Sequence, residues 1–164
     1  MGFTLVDDYE IPEPKDDEVQ IKVTSVSICG SDINVWKWND TAKFTLNDNH
    51  GVPFVPGHEA VGHVIKPGKG TSLKVGDRVA VENHFYCDNC YMCDEKRGDI
   101  CVKMHQYGFV FKKYQVQSKY ISSYGNGTDQ GGCSQRSNVP ARYLYKLTTN
   151  ISDEQGINTS FSKI

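Results

Sequence analysis

Cys87, Cys90, Cys93 and Cys101 fall within fifteen residues in the spacing C-x2-C-x2-C-x7-C, and no other feature of the chain restricts its fold as strongly. Thiolates two residues apart converge on one ion across a tight turn. A fourth thiolate from a short excursion closes the tetrahedron and leaves no open position, so zinc held this way is structural rather than catalytic. Residues 86–101 show neither helical nor strand periodicity, so metal rather than an apolar core is expected to order this lobe. An iron–sulfur cluster is the competing reading. Bacterial cluster motifs have shorter spacing and a proline after the last cysteine, whereas Val102 follows Cys101 here. Disulfides are the weakest reading. Cys29 and Cys133 stand apart from the cluster, and the opening MGFTLVDDYEIPEP lacks the basic and apolar regions of a secretory signal.

The 164 residues give room for one domain or slightly more. A net charge of −2 offers nothing to a nucleic-acid partner. Within the lobe, Asp88, Asp94, Glu95 and Asp99 flank Lys96 and Arg97, so a zinc-finger-like nucleic-acid binder lacks its basic stripe. No apolar run approaches the roughly 18 residues of a membrane span. The acidic opening also argues against a mitochondrial presequence. The expectation is a soluble cytoplasmic protein with no membrane partner.

Val19 to Val26 alternates apolar and polar residues and predicts a half-buried strand. It runs into Cys29-Gly30-Ser31-Asp32, where Ser31 or Asp32 is expected to cap a short helix over Ile33 to Trp38. Further strands are expected at Ala60 to Ile65, Arg78 to Val81 and Tyr143 to Leu147. Ser152-Asp153-Glu154 reads as a helix start with no helix following it. Short strands and turns dominate, so the class is mostly β, a partly open barrel. Cys29 and His58-Glu59 lie on different turns, each expected to follow a strand. A catalytic zinc takes three protein ligands and leaves one position open. Taken singly, a buried Cys and a lone His are more often structural.

Four elements in order resemble the medium-chain zinc-dependent alcohol dehydrogenases: Ile28-Cys29-Gly30-Ser31-Asp32, Pro56-Gly57-His58-Glu59-Ala60-Val61-Gly62, Gly76-Asp77-Arg78-Val79, and the cysteine lobe. The resemblance covers about residues 3 to 155 and is strongest to the threonine and sorbitol (polyol) dehydrogenase branch. It implies a GroES-like β-barrel over residues 1–156, with a structural zinc on Cys87, Cys90, Cys93 and Cys101. It also implies a catalytic zinc on Cys29 and His58, with Glu59 as third ligand or immediate neighbour. A Lewis-acid ion there lets a substrate hydroxyl lose its proton near neutral pH. Ser31 would begin the proton relay, whereas Asn34 stands where many relatives carry a titratable histidine. The implied activity is NAD-dependent oxidation of a small secondary alcohol, such as L-threonine or sorbitol, and it leaves room for a homo-oligomer.

Relative to that pattern the chain begins without an extra strand, and residues 109–125 look like an insertion. From residue 157 to 164 the sequence reads as an unrelated tail. No G-x-G-x-x-G follows a strand, so a Rossmann domain is expected to be absent. Relatives continue into a helix with an acidic residue near the catalytic zinc, and without it the second zinc is expected to be weakly held. The alternative function is a zinc-stabilised, non-enzymatic fragment.

Overall fold

The computed structural model describes residues 3–8, 10–40, 42–43, 55–102, 104–108 and 131–159. The expected insertion at 109–125 lies outside them, as does most of the loop expected over 41–51 and the end of the tail.

Strand β1 (Glu18–Val26) is central to the fold, and its alternation is visible in burial, with Val19 and Ile21 fully enclosed and Lys22 exposed. It pairs antiparallel with β2 (Ala60–Lys66), which pairs with β3 (Arg78–Val81). Two register shifts between β1 and β2 curl the sheet, as extra residues in one strand increase local twist. Gly62 permits the close approach, because a Cβ there would lie 2.5 Å from the Lys22 carbonyl oxygen.

A two-stranded ribbon of β4 (His84–Phe85) and β5 (His105–Gln106) flanks the lobe. Strand β6 (Arg136–Pro140) joins the free side of β1, and β7 (Leu144–Lys146) joins β3, giving the sheet order β6-β1-β2-β3-β7. The result is a mostly β, curled half-barrel. Its core gathers Val19, Ile21, Val64, Val79, Val139 and Tyr143.

Several expectations need correction. The first helix, α1, spans Gly30–Lys37 rather than Ile33 to Trp38, and its N-cap is Cys29. Asp32 is not the cap. It sits in the first turn, where its Oδ2 accepts the Cys29 N–H at 2.8 Å, the return half of a capping box. The last strand is shorter than expected, because Ala141–Tyr143 forms a 3-10 turn before it. The lobe does contain regular structure, a four-residue helix α2 (Tyr91–Asp94) and a 3-10 turn at Gly98–Ile100.

The helix start at Ser152 is also followed by a helix, α3 (Asp153–Thr159). Ser152 and Gln155 cap it reciprocally: Gln155 N–H donates to Ser152 Oγ at 3.2 Å and Ser152 N–H to Gln155 Oε1 at 2.9 Å. Ile157, expected to open an unrelated tail, is 7% exposed and packs with Val61, Ala80 and Leu147 on the outer face of the sheet. Strand β6 has no apolar alternation, because its buried Ser137 and Asn138 are satisfied from neighbours. Tyr107 OH donates to Ser137 Oγ at 2.7 Å, and Gln20 Nε2 donates to Asn138 Oδ1 at 3.0 Å.

Candidate metal centres

The lobe brings its four cysteines together. Sulfur–sulfur separations are 3.9 Å for Cys87–Cys93, 3.6 Å for Cys90–Cys93, 3.8 Å for Cys90–Cys101 and 3.5 Å for Cys101–Cys87. A tetrahedral ion with metal–sulfur bonds of about 2.3 Å requires edges of about 3.8 Å. The spacing therefore fits one zinc and is far too long for a disulfide, whose S–S bond is about 2.05 Å. None of the six cysteines forms a disulfide.

Helix α2 begins immediately after Cys90 and carries Cys93, so one turn of backbone sets two of the donors. The Cys93 N–H, foremost among its partners, draws the Cys90 thiol down to about 6 and favours the thiolate a metal needs. Burial moves Cys93 the opposite way. The lobe is tied to the barrel by Arg142, which pairs with Asp88, donates to the Tyr86 carbonyl at 2.5 Å and lies 4.5 Å above the Tyr143 ring centroid.

The second set forms where β1 ends and β2 begins, so Cys29 follows its strand but the His58-Glu59 turn precedes one rather than following it. Cys29, His58 and Glu59 each offer one donor atom, and these lie within 4.8 Å of one another. Gly57 makes this turn possible. Its φ is +90°, and a Cβ there would meet the Cys133 sulfur at 2.8 Å and its backbone nitrogen at 2.9 Å. His58 is 1% exposed. Its Nδ1 faces Asp32 Oδ1 at 3.5 Å and its Nε2 faces Glu59 Oε1 at 3.8 Å. A carboxylate behind one ring nitrogen orients the other toward an ion, so the donor set suits zinc.

Burial works against charge on His58, but Asp32 and Cys29 outweigh it and its pKa lies above the ordinary value. The Ser31 hydroxyl, followed by the Ser31 backbone N–H, holds the Cys29 thiol below its ordinary range. Ser31 thus touches the Cys29 donor. Asn34 is occupied elsewhere, its Oδ1 accepting from Asn39 Nδ2 at 2.8 Å.

Sequence reasoning placed Asp32 as a possible cap and missed it as the residue behind His58. Its position three residues after Cys29, in the first helical turn, was the available signal. Cys133 belongs to neither donor set, and burial raises its pKa. Among the described residues no helix is long and apolar enough to cross a membrane.

A curled half-barrel carrying a four-thiolate lobe and a separate Cys–His–Glu set defines the metal-bearing domain of a zinc-type dehydrogenase. The chain belongs to the alcohol dehydrogenase GroES-like domain family, which matches residues 15–149. It is 36% identical over 120 residues to an L-threonine 3-dehydrogenase of Thermococcus kodakarensis, covering 70% of this chain and 33% of that protein. To the L-threonine 3-dehydrogenase of Photorhabdus laumondii it is 32% identical over 157 residues, covering 93% of this chain and 38% of that one. Among solved structures, an alcohol dehydrogenase from Escherichia coli CFT073 complexed with NADH matches with a TM-score of 0.68 and 28% identity. That match covers 91% of this chain and 36% of the other. The chain spans about a third of the length of the curated relatives it matches.

Proposed function

We propose that this chain is the zinc-binding catalytic domain of an NAD-dependent oxidoreductase acting on secondary alcohols, of the L-threonine 3-dehydrogenase or polyol dehydrogenase kind. The observation that carries the reading is the meeting of Cys29, His58 and Glu59, from two separate turns, with Asp32 behind His58. Cys87, Cys90, Cys93 and Cys101 hold a structural zinc, while Cys29, His58 and Glu59 hold the catalytic one.

Zinc at the second set would act as a Lewis acid toward a substrate hydroxyl. Asp32 keeps a proton on His58 Nδ1 and leaves Nε2 to the metal. Ser31, at the start of α1, receives the substrate proton and passes it on. Asn34 cannot titrate, so the next acceptor is solvent. The match to L-threonine 3-dehydrogenases supports the substrate class, and the NADH-complexed neighbour supports the nicotinamide. Residues 1–156 form the GroES-like unit in this reading, and the nicotinamide site is supplied by a Rossmann segment outside these residues.

Joining this chain to the nucleotide-binding half of an L-threonine 3-dehydrogenase, after Gln155 and with residues 109–125 deleted, tests the proposal. NADH should form with L-threonine or sorbitol and NAD, and should cease in the Cys29→Ser and His58→Ala variants. A chimera that binds both zincs yet oxidises neither alcohol would count against the reading. The non-enzymatic alternative rests on one observation, the lack of any G-x-G-x-x-G run in the 164 residues. It describes the polypeptide acting alone.

A further inference from the structure

Glu59 reaches the second donor set with its two carboxylate oxygens in different surroundings. Its Oε1 faces His58 Nε2 at 3.8 Å, on the side of the metal position. Its Oε2 accepts a hydrogen bond from the Ser27 hydroxyl. The hydroxyl must be the donor, because an ionised carboxylate only accepts. Ser27 is held there by its backbone, whose N–H donates to the Glu59 carbonyl at 3.0 Å and extends the β1–β2 ladder beyond Val26 and Ala60. The serine side chain is thereby set beside the glutamate side chain, which is only 12% exposed. A carboxylate with one oxygen pinned keeps little rotational freedom, and the other oxygen is presented in one direction.

We propose that Ser27 is a positioning residue that holds Glu59 Oε2 and so presents Oε1 to the ion bound by Cys29 and His58. The inference rests on the reading of Cys29, His58 and Glu59 as a metal site. Without the hydroxyl, the carboxylate loses a charge-assisted bond in a half-buried place and turns toward water, away from the donor set. Partners one step behind a ligand typically change metal affinity by about 10–100-fold.

The test uses the full 164-residue chain with zinc filling the four-cysteine lobe, titrated with Co2+. Zinc outcompetes cobalt at the thiolates, so the visible absorption that develops reports the second set. Wild type should bind one cobalt with a Cys29 charge-transfer band. Ser27→Ala should bind it about 10-fold more weakly with an altered d–d spectrum, and Ser27→Thr should recover most of the affinity. In a Glu59→Ala background, adding Ser27→Ala should cost nothing further, since the serine acts through the glutamate. Should the alanine variant fail to fold, Ser27→Gly poses the same comparison.

Equal affinity and an equal spectrum in wild type and Ser27→Ala would overturn the role of Ser27 while leaving the metal site standing. That role is equally overturned if Ser27→Ala weakens binding in the Glu59→Ala background as much as in wild type. A wild-type chain that takes up no cobalt beside its lobe zinc would overturn the metal site itself, and Ser27's role with it.

Discussion

Cys90 illustrates how much can depend on one atom of the lobe. Its sulfur lies 3.6 Å from Cys93 and 3.8 Å from Cys101, and among the described residues the apolar support is Met92, Met104 and the Tyr86 ring. Cys90→Ser should therefore abolish tight zinc retention and leave the lobe open to proteolysis, because three thiolates lose both a ligand and the closed geometry. Elemental analysis after gel filtration in chelator, with Cys29→Ser added to remove the second set, checks this; retention of one zinc per chain would refute the four-sulfur set. Cys133→Ser should keep wild-type zinc content, since its sulfur lies in neither donor set. At the second set, Asp32→Asn should spare the lobe zinc and weaken metal at Cys29 and His58 by about 10-fold or more. The physical reason is that an amide can present the wrong partner to His58 Nδ1. Competition titration with a coloured chelator measures the change.

Helix α3 is the element whose attachment is most open to measurement. Asp153 binds it to the sheet: Arg78 Nη2 donates to Oδ1 at 2.6 Å, and Thr24 Oγ1 donates to Oδ2 at 2.7 Å. The Thr24 hydroxyl first, and the Arg78 guanidinium with it, hold the Asp153 carboxyl below the ordinary aspartate range. A carboxyl with a lowered folded pKa stabilises above its unfolded value, near 3.9, and the contribution fades as pH falls through the folded value. Asp153→Asn should cost about 1–2 kcal/mol at pH 7, and the gap from wild type should shrink as the pH drops below about 4. Denaturant unfolding at pH 7 and pH 3 reads the difference; a gap that stayed constant would contradict the assignment. Ile157→Ala should destabilise by about 2 kcal/mol, because it uncovers Val61 and Ala80.

Legibility at this scale followed how each element is stabilised. Strands β1, β2 and β3 bury alternate or continuous apolar residues, so pattern alone located them within a residue. Strand β6 is stabilised by partners distant in sequence, Tyr107 OH and Gln20 Nε2, and no local pattern records such bonds. Helix α3 was missed because seven residues carry too little periodicity to read. Its capping box, Ser152 with Gln155, was present in the chain all along.

For the whole molecule, the nearest test is catalytic. The 164-residue polypeptide alone should give no NADH with L-threonine or sorbitol and NAD. Hydride transfer needs the nicotinamide within about 3 to 3.5 Å of the reacting carbon, and no dinucleotide-binding run occurs in these residues. Measurable turnover, confirmed to vanish in Cys29→Ser, would refute this.

The sequence by itself determined the family, the mostly β class and the membership of the cysteine lobe. Each of these is written in short spacings: thiols two apart must share a turn, and alternation must put one face inward. Only the tertiary structure decided how the second set is built. Cys29 and His58 are far apart in the chain, and a sheet with two register shifts brings them together. That same packing put Asp32 behind His58 and Ser27 against Glu59. A side chain's partner across a sheet depends on strand register, and register is a property of the assembled sheet that no single segment carries.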